Sequence, residues 1–184
     1  MANSGTWRMA PMIQTTRKMA ALSLGVISVS LCLGAGCEPR RAQDLSRLDE
    51  MQTVDLDIKG HAFRCWVADN DDTREAGLMN VAPDLMADLP DGTHRGMLFV
   101  FPSDNPAHHG FWMKNTVIPL DIAFIRANGV IVTIRTMAPH DLRHTSATAP
   151  YRYALEVNAN LFSDLDINEG DTIELPNSVL TPQD

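Results

Sequence analysis

Residues 120–135 leave this chain few choices of fold. Two runs rich in branched apolar residues, 120–126 and 130–135, are separated by Ala127-Asn128-Gly129. Asn-Gly accepts positive φ at both positions, and that backbone geometry makes a tight turn whose twist matches the strands it joins. The segment therefore predicts a β-hairpin. Period-two alternation recurs elsewhere. Val54, Leu56 and Ile58 alternate with Asp55 and Asp57, then Lys59-Gly60 turns the chain into Phe63, Cys65 and Val67. Residues 96–101, Gly-Met-Leu-Phe-Val-Phe, form a short continuous apolar run, as expected of a strand covered on both faces. Residues 151–157 and 171–175 supply two more strands.

Helix is scarce. Asp72-Thr73-Arg74-Glu75 reads as a capping box opening a short helix through Met79, and Pro83 starts a second turn that Pro90-Asp91-Gly92 stops after Leu89. Many short strands with one or two short helices predict a mainly β, compact single domain, a sandwich or barrel-like fold, over residues 51–176. Residues 38–50 read as a polar tether and 177–184 as a tail.

Charge divides the chain unevenly. Residues 1–37 contain Arg8, Arg17 and Lys18 and no acid, so the remainder carries 12 basic and 23 acidic residues. That acidic balance argues against a nucleic-acid partner held through phosphates. After Lys18 comes an uncharged run of 18 residues, 19–36, that ends in small residues before Cys37. A basic start, an apolar stretch and a small-residue exit make an export signal. Leu33-Gly34-Ala35-Gly36-Cys37 resembles a bacterial lipoprotein signal, in which the cysteine is lipidated and becomes the new N-terminus. Gly34 departs from that pattern, because the large apolar residue, Leu33, stands one place early. The alternative is an uncleaved anchor, for which the run is short and diluted by serine and glycine. On either reading the chain is exported and tethered to a membrane in the cell envelope or periplasm.

Five blocks then follow in order: Arg74-Glu75-Ala76-Gly77-Leu78-Met79, Gly96-Met97-Leu98-Phe99, Phe111-Trp112-Met113-Lys114-Asn115-Thr116, Pro119-Leu120-Asp121-Ile122 and Tyr153-Ala154-Leu155-Glu156. In them residues 52–176 resemble the domain of unknown function 192 family of bacteria and archaea. The resemblance implies a compact β-rich fold and brings no established activity. Two departures stand out. The segment between Met79 and Gly96 is longer than usual, and Pro139–His144 occupies the place where some relatives carry a cysteine pair.

Three kinds of chemistry are open to the polar residues. The three large apolar residues Phe111, Trp112 and Met113 predict a buried segment, with Lys114 and Asn115 directly after it. A pocket beside Trp112 and Lys114, with Asn115, Asp121 and Glu156 near it, could bind a small ligand, a glycan or a protein partner without catalysis. The bland version of the same residues is a Lys114–Asp121 ion pair and an Asn115 turn that fix loop geometry. Glu156 shares its strand face with Arg152, Ala154 and Asn158, and that face is expected at solvent or lining a cleft. A hydrolase-type enzyme would use Lys114 with Asp121 or Glu156, which must then converge within hydrogen-bond reach. A zinc or copper site could draw on His108, His109, His140 and His144, with Met113 and Met137 as soft ligands. Against it, Arg143 stands within the cluster. No cofactor is expected. Cys65 alternates with Phe63 and Val67 and reads as a small buried apolar residue. The chain lacks GxSxG, GxGxxG, P-loop and CxxC patterns.

Overall fold

The computed structural model describes residues 47–180. The export signal, Cys37, most of the tether and the last four residues lie outside the described residues. Eight strands follow in the chain: β1 (Thr53–Ile58), β2 (His61–Ala68), β3 (His94–Asn105), β4 (Gly110–Phe111), β5 (Leu120–Ile125), β6 (Ile131–Met137), β7 (Thr145–Ser146) and β8 (Tyr151–Asn158). Between and after them lie the short helices α1 (Asp71–Ala76), α2 (Leu161–Asp164) and α3 (Asn177–Leu180) and a 3-10 turn at Pro83–Met86. The fold is mainly β with few short helices, as the alternation predicts.

Six strands form one open mixed sheet in the order β1-β2-β3-β8-β5-β6, while β4 and β7 make a second sheet of two. The main sheet does not close into a barrel. Instead both of its faces are covered, which is why β5 is buried at all six positions. One face carries Cys65, Leu98, Ala123, Leu155 and Val157 under Phe162 and Ile173. The other carries Trp66, Met97, Phe99, Ile122, Phe124 and Ala154 under Leu78, Val81, Met86, Met113 and Ile118. The second face supports the site described below.

β2 and β3 are parallel, so the chain between them must cross over one face of the sheet. That crossover, residues 69–93, holds α1 and the 3-10 turn. The cap of α1 is Asn70, not Asp72. Its side-chain oxygen accepts the Thr73 N–H at 2.9 Å, and the Thr73 hydroxyl accepts the Asn70 N–H at 3.2 Å. The helix ends at Ala76, before Met79, because Gly77 takes φ 43°. The second turn is likewise shorter than expected and stops at Met86.

The hairpin β5–β6 forms where the Asn-Gly signal lies. Only Gly129 takes positive φ, 84°, and its N–H donates to the Arg126 carbonyl at 2.9 Å. A Cβ there would stand 2.4 Å from the Ile173 carbonyl oxygen, so the turn is also packed against the chain's end. The strand expected at 171–175 shrinks to one bridge, Val130 with Thr172. Pro176 follows without an N–H to extend a ladder, and the chain turns into α3.

Candidate functional site

The outer half of β3, α1 and the 106–112 segment enclose a cleft of about 570 Å³. Its wall is chiefly aromatic. Phe99, Phe101, Phe111 and Tyr151 line it, and their rings meet edge to face. Phe99 and Phe111 lie 4.9 Å apart between centroids, Phe101 and Tyr151 5.7 Å. These arrangements set the positive edge of one ring against the negative face of the next and lock the wall. Tyr151 is buried; its hydroxyl donates to the His109 carbonyl at 3.0 Å, and burial pushes its pKa up to about 12.

Polar groups sit at the rim. Arg74 projects from α1 and donates to the Val100 carbonyl at 2.8 Å and to the Asp71 carboxylate at 2.6 Å, with its guanidinium 5.4 Å from the Phe101 centroid. Asn105 lines the cleft as well, and its Nδ2 is buried without a hydrogen-bond acceptor among the described residues. The outer wall depends on the β4–β7 clasp, in which Gly110 pairs with Ser146 and Phe111 with Thr145. The Met113 N–H extends the clasp by donating to the Asp141 carbonyl at 2.8 Å. The Arg143 guanidinium beside Asp141 holds its carboxyl down to about 2.

A narrow annex of about 40 Å³ shares Arg74, Glu75, Phe99, Phe111 and Trp112 with the main cleft. It runs inward beneath residues 76–79 to Thr116 and Glu156. Glu156 lies on β8, the central strand, with Met97 and Ile122 as its neighbours on β3 and β5. It is only 4% exposed, and its carboxyl has no hydrogen-bond partner among the described residues. Burial alone pushes its pKa up to about 8, so at neutral pH the acid is mostly protonated. The expectation that this face of β8 meets solvent fails at Glu156, because the crossover covers it.

The other expected residues separate. Lys114 does not pair with Asp121; its ammonium lies 4.9 Å from the Trp112 centroid. Asp121 is 2% exposed and accepts the Thr136 hydroxyl at 2.6 Å. It pairs with Val157, and Ile122 with Glu156, so the two carboxyls point to opposite faces of the sheet. Asn115 takes φ 56° and its carbonyl accepts the Asn80 N–H at 2.8 Å, a turn that ties the Trp112 segment to the crossover. The 111–113 segment is not buried throughout. Met113 points inward, while Trp112 is 40% exposed and lines both cleft and annex.

His108, His109 and His144 reach the cleft, with His144 edge-on to Trp112 at 6.1 Å. His140 sits apart in a turn, its N–H donating to the Thr116 carbonyl at 3.1 Å. Among the described residues no three His, Cys, Asp or Glu side chains gather as metal ligands would. Cys65 is fully buried, and burial pushes its thiol pKa far up, which suppresses the reactive thiolate.

Residue-by-residue reading missed Arg74, Phe99, Phe101, Asn105 and Tyr151 as cleft residues. A signal for two of them was present, since Arg74 and Phe99 belong to the first two blocks of the family resemblance. Four of the five blocks contribute to the cleft and its annex. The exception is 119–122, which lies in and beside β5.

Comparison with known proteins agrees. The family model described as uncharacterized ACR, domain of unknown function 192, matches residues 54–175. A protein of unknown function from Novosphingobium aromaticivorans DSM 12444 is 32% identical, with a TM-score of 0.59 over 68% of this chain and 86% of that one. A candidate transcription regulator from Sinorhizobium meliloti 1021 is 34% identical, with a TM-score of 0.56 over 66% of this chain and 91% of that one. No curated protein matches. By its sequence match and its fold, the chain belongs to the domain of unknown function 192 family.

Proposed function

We propose that the domain binds a small organic ligand with an apolar body, without catalysis, in the aromatic cleft. The observation that carries this reading is the cleft itself. Its volume of about 570 Å³ lies in the range of small-molecule sites, and its rings are fixed by mutual packing before any ligand arrives. A pre-formed apolar wall with a few polar groups at its rim binds with little ordering cost. Binding is favoured over hydrolysis because neither residue expected to act with Glu156 joins it. Asp121 lies across the sheet, and Lys114 is engaged with Trp112. The proposal extends to location. The basic start, the uncharged run and Cys37 support export and a membrane tether, which would hold the cleft at the cell envelope.

The test is native mass spectrometry of the purified full chain, paired with a fluorescence titration using 1-hexanol as an apolar probe. Trp112 is the exposed indole at the cleft, while Trp66 is buried. Co-purified mass, or a saturable emission change that Trp112→Phe removes, supports the reading. A clean mass together with emission that millimolar hexanol leaves unmoved overturns it.

A further inference from the structure

The annex ends on a group that the fold leaves unanswered. Glu156 is almost wholly enclosed, it lines the annex, and no donor among the described residues reaches it. A buried polar group without a partner is costly, and native proteins keep few of them away from functional sites. Its neighbours on the adjoining strands, Met97 and Ile122, are apolar and cannot supply a partner. The charged residues that line the annex with it are Arg74 and Glu75 of α1. Arg74 is already committed to Asp71 and to the Val100 carbonyl, and Glu75 is exposed. No cation among the described residues therefore answers Glu156.

The rest of the annex has the character of a cation cage. Phe99, Phe111 and Trp112 line it, and aromatic rings attract ammonium groups through their negative faces. Within this molecule the Trp112 ring already attracts one, the ammonium of Lys114 at 4.9 Å. The volume of about 40 Å³ admits one small group and no more. The chain's net charge of −8 gives a cation a favourable approach.

We propose that the annex is the anchor for a protonated amine: the ligand's ammonium pairs with the Glu156 carboxylate between the aromatic rings, and its apolar body fills the outer cleft. This deepens the binding reading above and rests on it. The free acid is mostly protonated at neutral pH, so seating an ammonium there drives one proton from the carboxyl into solvent. Amine affinity then rises with pH, about tenfold per unit up to about 8. It levels off until the amine itself deprotonates near pH ~10.

The experiment compares three probes of equal body on the full chain: hexylammonium, 1-hexanol and hexanoate, titrated by Trp112 emission at pH 6, 7 and 8.5. At pH 8.5 hexylammonium is expected to bind roughly tenfold or more tighter than hexanol, the scale of a hydrogen-bonded charge pair. The preference should shrink toward pH 6, and Glu156→Gln should remove it while hexanol binding stays. A second measurement needs no variant: binding heats in two buffers of different ionisation enthalpy should report the release of about one proton at pH 7. Hexanol binding as tightly as hexylammonium, or a tighter hexanoate, overturns the amine assignment and leaves the apolar cleft standing. Amine binding without proton release overturns it as well. If none of the three binds, the assignment and the cleft reading fall together.

Discussion

Asp121 and Glu156 stand on adjacent strands, one residue out of step, so the two buried acids never share a face: Asp121 aligns with Val157 and Glu156 with Ile122. Asp121 has its partner in the Thr136 hydroxyl, which marks it as scaffold. Asp121→Ala should lower the free energy of unfolding by about 1–3 kcal/mol, because it removes the hydrogen bond from Thr136 and leaves a gap at a buried position. Hexanol affinity should not change. Urea unfolding alongside the fluorescence titration checks both, and a loss of binding without a loss of stability would contradict the assignment.

Glu156 works in the other direction on stability. Its folded pKa of about 8 lies above the ordinary value of 4.5, so between those values the folded chain holds a proton that the unfolded chain has released. Stability contributed by this acid is therefore complete below pH ~4.5, declines as pH rises, and reaches its floor above about 8. Glu156→Gln should flatten that decline and raise the melting temperature at pH 8 more than at pH 5. Thermal unfolding across that window is the measurement. An equal shift at both pH values would show that the carboxyl ionises normally in the folded chain.

The β4–β7 clasp predicts a mutation that injures the cleft from outside. A Cβ on Gly110 would meet the Thr145 carbonyl oxygen at 2.6 Å and the Ser146 hydroxyl at 2.8 Å. Neither can retreat while Gly110 and Ser146 stay paired. Gly110→Ala should therefore weaken hexanol binding several-fold with a stability loss of only about 1 kcal/mol, since the small sheet lies outside the main one. Titration and denaturant unfolding of the same sample separate the two effects.

At the other end of the chain, metabolic labelling with palmitate should tag the protein, and Cys37→Ser should abolish the tag. An unlabelled protein recovered in soluble fractions would remove the lipid tether from the proposal.

Much of the fold was legible because its strands announce themselves locally. The β5–β6 hairpin, the alternation of β1 and β2 and the apolar run in β3 each follow from neighbours in sequence. What local pattern cannot carry is which strand lies beside which. The face of β8 that holds Glu156 reads as polar, with Arg152 and Asn158 on it, and only the crossover laid over that face makes it interior. Trp112 shows the converse. Between Phe111 and Met113 it reads as core, yet the two-stranded clasp turns it outward to the cleft. The cleft itself is assembled from segments spread between residues 74 and 151, visible in the sequence only as blocks sharing a family resemblance.

The strand order carries a consequence for how the molecule comes into being. β8 lies between β3 and β5, so β1-β2-β3 and β5-β6 have no ladder in common until residues 151–158 arrive. The middle of the sheet is thus synthesised after the strands on both sides of it, and Glu156 is delivered with it. Closing so many distant pairings late makes folding slow relative to local helix or hairpin formation. A nascent chain cut short before Tyr151 would hold two unjoined strand sets and a roofed space with no floor.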